Sequence, residues 1–461
     1  MRFVILGAGP AGYAAAAAAS ALGAEVTIVE DLGLGGNATI WDAIPSKTLL
    51  ATANVMASID RAEALGIAFQ HGRPSVDILR TIAHARYVAA HQSRGVRDRL
   101  EGTSAKVVHG RARVSAPGTL LVTGEVGERE IGYDRLLIAT GADPWEPPFA
   151  QVDHDRVFTQ REVLALRKLP EHLIVVGAGA TGCEYAEFFL SCGVRVTLLS
   201  ARPQILPAED PDIAEIVEEA FLARGCELQF SSRVTEVAIG DAGVTVTTQD
   251  GRHFAGSHAI VCMGMRPATA DLGLDVLGVA LDDRGGIGVD GNMCTSVAGV
   301  YAAGDVAGGM MLASTAAMQG RHAALHALDC APTSLDLHTV PWTIFTHPEV
   351  ASVGLTAAQA EQKGIAVEVT KHYLGANPRS VISGNNAGMI KLVAEPETDI
   401  LLGASIVGYR ASEMIATLAL AVKARLTLDV LSDAGTVTPS MSESLQRAAE
   451  KAVTARVVAS R

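Results

Sequence analysis

No run of about 18 or more apolar residues occurs in the 461-residue chain, although hydrophobic types make up 49% of it, so no helical membrane span is expected. Paired cysteines are missing too. The six cysteines, Cys183, Cys192, Cys226, Cys262, Cys294 and Cys330, show no CxxC and no paired Cys/His spacing. A zinc site and a disulfide framework are therefore not expected, and single buried thiols in a reducing cytoplasm are. A basic surface is lacking as well. Thirty-seven Lys and Arg stand against fifty Asp and Glu, and the resulting formal net charge of -13 repels polyanions and argues against nucleic acid as a partner. The alanine run at residues 14 to 19 has the look of a signal-peptide core. A strand pattern starts at Arg2 and a glycine cluster precedes the run, however, so it reads as a helix packed tightly on a sheet.

What the chain does have is one glycine grammar used twice. Residues 3 to 6 form a short apolar strand running into Gly7-Ala8-Gly9-Pro10-Ala11-Gly12, then an Ala-rich helix, then a strand over residues 25 to 29 that ends at Glu30. The pattern recurs at residues 173 to 176, Gly177-Ala178-Gly179-Ala180-Thr181-Gly182, a helix through Leu190 and a strand over 194 to 199. In such a turn the first glycine permits the bend, the second lets a pyrophosphate approach the backbone, and the third lets the helix pack on the strand. The positive end of the helix dipole then faces the phosphates. Two βαβ nucleotide-binding units are expected.

The residue at the end of each second strand separates the copies. Glu30 is placed to accept hydrogen bonds from a ribose diol. The second copy has Ser200 at that place with Arg202 close behind, which suits a 2′-phosphate and favours NADPH over NADH.

A chain of this length calls for two or three domains. Residues 51 to 100 read as helical and charged, 106 to 139 as β-rich, and the Pro-rich stretch 144 to 148 as a boundary. After the second unit come strand patterns at 234 to 248, 260 to 264 and 300 to 302. From Val340 the texture changes to β segments with helices near 357 to 363 and 411 to 424, which marks a separate final domain.

The chain resembles the flavoprotein disulfide reductases, the class I pyridine nucleotide-disulfide oxidoreductases that include lipoamide dehydrogenase, glutathione reductase and mercuric reductase. The resemblance covers nearly the whole chain. It rests on the first glycine motif, Gly35-Gly36, Ile44-Pro45-Ser46-Lys47, Ala139-Thr140-Gly141, the second glycine motif with Glu184, Gly264-Met265-Arg266-Pro267, Ala303-Gly304-Asp305 and Phe345-Thr346-His347-Pro348-Glu349. It implies an α/β fold with two Rossmann-like domains and a C-terminal α+β dimerisation domain. Residues 1–148 and 266–338 would bind FAD, 149–265 NAD(P), and 339–461 would form the interface of a homodimer. FAD would lie against Gly7, Gly9, Pro10, Ala11, Gly12, Glu30, Asn37, Gly110, Thr140, Gly141 and Asp305, with Leu312 and Ala313 beside its ring. NADPH or NADH would lie against Gly177, Gly179, Ala180, Thr181, Gly182, Ser200, Arg202, Val234 and Gly264. Lys47 and Glu184 match the family's ion pair beside the flavin, where a cation stabilises the reduced ring.

Two departures from the family bear on function. The family's two cysteines fall on Ala38 and Ala43 here, so no thiolate can form there. The family's acid–base histidine falls on Thr438, which does not titrate near neutrality, while its glutamate remains as Glu443. Disulfide reduction is therefore not expected, and the reduced flavin must pass its electrons to a small diffusible acceptor. The chain is most similar to the lipoamide-dehydrogenase-like NAD(P)H quinone reductases that lack the disulfide, so a quinone is the expected acceptor. Two alternatives stand beside this reading. One is a soluble pyridine nucleotide transhydrogenase, suggested by the Trp41 segment. The other is a non-catalytic flavin-binding subunit of a complex, against which the intact Lys47 and Glu184 argue. The thiol face left by Ala38 and Ala43 is expected to be an apolar recess for a planar ring. Residues 439 to 443 of one subunit are expected to reach the flavin of the other.

Overall fold

The computed structural model describes residues 1–125, 127–330 and 333–459. Residue 126 of the β-rich stretch, residues 331 and 332, and residues 460 and 461 of the final domain lie outside the described residues.

The glycine repeat extends beyond the two βαβ units. Each begins a five-stranded parallel sheet. In the first, the strands run Val300–Ala302, Arg135–Ile138, Arg2–Leu6, Glu25–Glu30, Lys106–His109. In the second they run Glu227–Gln229, Arg195–Leu199, His172–Val176, His258–Val261, Val157–Phe158. Each half also carries a three-stranded antiparallel meander, Arg111–Ala116, Thr119–Gly124, Gly127–Gly132 in one and Val234–Gly240, Gly243–Thr248, His253–Gly256 in the other. The central strands His172–Val176 and Arg2–Leu6 are buried almost throughout, as strands covered on both faces must be.

The Ala-rich helix Pro10–Ala21 has its explanation in a neighbour. Ala15, Ala16 and Ala19 are fully buried in one cluster with Ala323 and Ala324 of the helix Ala313–Ala327. A side chain on Gly320 would collide with the Ala11 carbonyl, so only small residues permit this approach. Close approach here fixes the end of the helix that faces the first glycine turn.

The segment 144 to 148, expected as a linker, is ordered at its start by pairing. Ala142–Pro144 is hydrogen-bonded antiparallel to Met265–Pro267, so the two crossings between the halves form a single ribbon. Proline is tolerated because a two-stranded ribbon has only edges.

The last part is a five-stranded antiparallel sheet in the order Trp342–Ile344, Glu349–Gly354, Leu401–Gly408, Met389–Ala394, Glu368–Tyr373. It is covered by the helices Ala411–Lys423 and Glu443–Ala459. Ile344, Val350, Met389 and Val407 from this sheet share a core with Leu49 and Leu50 of the helix Ala43–Asp60 and with Phe188 and Phe189 of the helix Ala180–Ser191. Three parts of the chain thus meet in one apolar cluster. No described helix is long and apolar enough to cross a membrane.

All six cysteines are free, but they are not uniformly buried as the sequence suggested. Cys183, Cys226 and Cys262 are buried, Cys192 and Cys294 are partly so, and Cys330 is exposed just past the end of its helix. Burial pushes the Cys192 and Cys226 thiols up to about 12, away from thiolate chemistry.

Candidate active site

The first glycine turn, the strand Glu25–Glu30 and the start of the helix Ala313–Ala327 enclose a cavity of about 340 Å³. Gly7, Gly9, Pro10, Ala11, Glu30, Asn37, Gly110, Thr140, Gly141, Asp305 and Ala313 line it. Gly12 is buried behind the turn, where a Cβ would collide with the Gly7 carbonyl, so its role is helix–strand packing. Gly9 has an ordinary φ of -69°, and a Cβ there would meet only the Gly36 Cα, at 3.8 Å. Its lack of a side chain keeps the cavity open rather than making the turn possible.

Glu30 is buried at the cavity edge. One carboxylate oxygen accepts from the Ala8 N–H at 2.5 Å, and the other from Leu32 and Gly33 at 2.7 and 3.0 Å. The charge is therefore held by the backbone, and the free lone pairs remain for a ribose diol. Asp305 differs. Its carboxyl lines the cavity with no hydrogen-bond partner among the described residues, and burial, with a smaller contribution from Asp42, pushes its pKa to about 6. An unpartnered carboxyl facing a polar cavity at a strand end is what a hydroxylated ligand chain would satisfy, so the residues present fit FAD. Leu312 is the N-cap residue of the Ala313 helix and does not itself line the cavity.

Lys47 and Glu184 come together. The Lys47 ammonium lies 2.8 Å from the Glu184 carboxylate, and it sits 5.3 Å from the centre of the Phe345 ring. Glu184 is buried, and its other oxygen accepts from the Phe345 N–H at 3.0 Å. One carboxylate therefore ties the helices Ala43–Asp60 and Ala180–Ser191 to the final domain.

The second glycine turn copies the first. Gly177 has φ +106° beside +100° for Gly7, and Gly179, like Gly9, is extended. Nothing lies within 4 Å of a Cβ placed on Gly179 or Gly264, and Ala180 and Thr181 are exposed at the helix start, while Gly182 is buried against the Gly177 carbonyl. Ser200 is buried, its hydroxyl donating to the Gln204 carbonyl at 2.7 Å and accepting from the Arg202 N–H at 3.2 Å. The exposed Arg202 side chain has no partner among the described residues. Val234 opens the meander beside this loop, since Ser231 and Ser232 donate to the Arg202 and Ser200 carbonyls.

Thr438 and Glu443 are not brought to the cavity within one chain. Thr438 is exposed, and Glu443, the first residue of the last helix, is buried with one carboxylate oxygen unpartnered. The other oxygen is 3.5 Å from Arg447.

At the vacated thiol positions Ala38 lines the cavity and Ala43 begins its helix. The recess is less apolar than the two alanines suggest. Asn37, Asp143 and Asp305 share the wall, and the Asp42 carboxyl lies between the alanines in sequence, raised in pKa by burial. Arg161 bridges this wall, donating to Asp143 at 2.7 Å and to the Asn37 amide oxygen at 3.4 Å. Arg161 and Gln160 belong to none of the glycine or lysine motifs. No local signal marks them, because their role depends on contacts far along the chain.

Two nucleotide-binding sheets whose units are joined through a lysine–glutamate pair, buried on the glutamate side, define a two-nucleotide oxidoreductase. Residues 1–320 match the family described as pyridine nucleotide-disulphide oxidoreductase, and residues 340–449 match its dimerisation domain. The chain belongs to that family, and it is an oxidoreductase that uses FAD and NAD(P)H. It is 37% identical to an NAD(P)H dehydrogenase (quinone) of Mycobacterium tuberculosis, over 98% of this chain and 93% of that one. It is 34% identical to a dihydrolipoyl dehydrogenase of Bacillus subtilis, over 97% and 98%. The crystal structure of LpdA from Mycobacterium tuberculosis superposes with a TM-score of 0.92 at 37% identity, over 98% of this chain and 99% of that one. The HOCl-induced flavoprotein disulfide reductase RclA of Escherichia coli gives 0.87 at 27% identity, over 98% and 99%.

Proposed function

We propose that this chain is an NAD(P)H:quinone oxidoreductase that works without a protein disulfide. The observation that carries the reading is that Ala38, Ala43 and Thr438 stand where the family has its two cysteines and its histidine, while Lys47 and Glu184 remain paired at 2.8 Å. The 37% identity to an NAD(P)H dehydrogenase (quinone) supports it. Bound FAD supplies a two-electron relay between the nicotinamide and the acceptor.

The chain's own residues supply placement and charge. Residues 1–148 and 266–338 form the FAD-binding unit, in which the first helix N-terminus and open Gly9 receive the pyrophosphate, Glu30 the ribose and Asp305 the ribityl hydroxyls. Residues 149–265 hold the nicotinamide cofactor, with Gly179 open to its pyrophosphate and the free Arg202 cation beside Ser200 favouring the 2′-phosphate of NADPH. Lys47, fixed by Glu184, holds positive charge beside the flavin. Residues 339–461 join two copies, and the segment with Thr438 and Glu443 serves the partner's site.

Steady-state assays with NADPH and a panel of acceptors test this. Fast reduction of a benzoquinone or naphthoquinone and negligible reduction of lipoamide and glutathione disulfide are expected. Preferential reduction of NAD would instead indicate a transhydrogenase, and equal rates with lipoamide and quinone would refute the reading.

A further inference from the structure

The final sheet carries one rank of polar residues across all five of its strands. Trp342 stands opposite Ser352, Ser352 opposite Ser405, Ser405 opposite Lys391, and Lys391 opposite Lys371. Directly opposed residues of an antiparallel sheet share a face, so the five point the same way. Two positions along, the neighbouring rank is Ile344, Val350, Val407 and Met389, which belongs to the apolar cluster around Leu49 and Phe188. Burying two serines and a lysine beside that cluster is costly unless each finds a partner. The partners come from one short segment of the second nucleotide unit. The buried Glu209 carboxylate accepts from the Trp342 indole N–H and from the Ser352 hydroxyl, both at 2.7 Å, and the Ser405 hydroxyl lies 3.1 Å from that of Ser352. The Lys391 ammonium lies 2.6 Å from Asp210 and 3.0 Å from Asp212, and Lys371 lies 2.6 Å from the other Asp212 oxygen. Two lysines opposed on one face would repel, and Asp212 between them offsets the repulsion.

Glu209 also closes the loop that carries Ser200 and Arg202. Its carbonyl accepts from the Gln204 side-chain amide at 3.1 Å, and the Gln204 carbonyl accepts from the Ser200 hydroxyl. Between them the Leu206 N–H donates to the Ala178 carbonyl of the glycine turn at 2.7 Å. Pro203, Pro207 and Pro211 stiffen the path. The Arg202 side chain has no partner among the described residues, so its backbone alone places it. We propose that Glu209, seated on the polar rank of the final sheet, is the positioning residue that holds Arg202 in register for the 2′-phosphate of NADPH. The assignment rests on the NADPH reading above. A loop without this brace must be ordered at the moment of binding, and that cost falls on a ligand with a 2′-phosphate and hardly on one without. The final domain thereby takes part in choosing the cofactor.

The test is calorimetric binding of adenosine 2′,5′-bisphosphate and adenosine 5′-monophosphate, the adenylate ends of NADPH and NADH, to the FAD-loaded protein. Glu209→Ala is expected to weaken the bisphosphate about tenfold, the worth of one charge-assisted hydrogen bond, and to leave the monophosphate within about twofold. In steady state the same loss should appear in KM for NADPH and not in kcat. Glu209→Gln keeps an acceptor for Trp342 and should restore most of the native preference. Trp342→Phe keeps the ring and removes only the indole donor, so it should shift the ratio of the two affinities in the same direction by about threefold. Equal weakening of both ligands in Glu209→Ala, or weakening of neither, would overturn the assignment. If Glu209→Ala does not fold, Trp342→Phe decides, and an unchanged ratio there overturns the assignment. Arg202→Ala separates the two claims. If it leaves the bisphosphate affinity unchanged, the NADPH reading fails and the assignment with it, whereas a loss in Arg202→Ala without one in Glu209→Ala defeats the assignment only.

Discussion

Lys47 and Glu184 stand 137 positions apart and meet at 2.8 Å in a site that is buried on the glutamate side. Replacing Lys47 by Met keeps most of the bulk and removes the cation, leaving Glu184 with only the Phe345 N–H. The flavin midpoint potential should become more negative, and flavin reduction by NADPH should slow about 100-fold, as for other losses of a preorganised charge. Photoreduction titration and stopped-flow absorbance check the two effects, and an unchanged potential would show that the pair is only structural. Arg202 is exposed beside Ser200, and its side chain has no partner among the described residues. Removing a charge-assisted hydrogen bond costs about 1.5–3 kcal/mol, so Arg202→Ala should lower kcat/KM for NADPH roughly tenfold or more and leave NADH little changed. An unaltered NADPH/NADH ratio would mean that Ser200 and Arg202 do not read the 2′-phosphate. The meeting of Lys47 and Glu184 was legible in the sequence because each belongs to a short motif of the family.

At the scale of elements, the turn after the helix Ala43–Asp60 is joined to the final domain through His347. Its ring lies 2.9 Å from the Arg61 guanidinium, and its backbone N–H donates to Glu187, which also pairs with Arg224. Burial, and then the neighbouring Arg61, depress the His347 pKa from 6.5 to about 4. The unfolded chain takes up a proton near pH 6.5 and the folded one only near 4. This group's contribution is therefore fully present above about pH 6.5 and is lost as pH falls toward 4, by up to about 3 kcal/mol. His347→Asn should flatten the fall in Tm between pH 6.5 and 4 relative to the native protein in calorimetry, and parallel curves would contradict this. The strands and helices flanking both glycine turns were readable to within a residue or two, because apolar runs and glycines are local signals. The ribbon of Ala142–Pro144 with Met265–Pro267 was not readable. Its pairing is remote, and its prolines look like a linker.

Across the whole molecule, the final domain leaves large apolar side chains in water within one chain. Val437 is 76% exposed and Leu420 is 65% exposed, in a region that matches a dimerisation domain. Val437 lies next to Thr438, so covering it and completing the active site are expected to be one event. Val437→Asp should weaken the dimer in light scattering and make specific activity fall on dilution, while the FAD content per chain stays the same. A fully active monomer would refute the shared site. The parallel βαβ pair at the centre of each sheet follows from the doubled glycine grammar, and the order of the outer strands does not. The meeting of three parts of the chain around Leu49, Phe188 and Val350 does not, because it depends on shapes that only the folded domains present to one another.

The most direct measurement is an anaerobic titration of the FAD-loaded enzyme with NADPH, followed by absorbance and then by addition of an acceptor. With alanine at positions 38 and 43, only one two-electron centre remains. Bleaching should therefore be complete at about one NADPH per FAD, with no long-wavelength thiolate-to-flavin band, and a quinone should restore the oxidised spectrum within seconds while lipoamide does not. Uptake of two equivalents, a thiolate band, or reoxidation by lipoamide at the quinone's rate would contradict electron transfer without a protein disulfide.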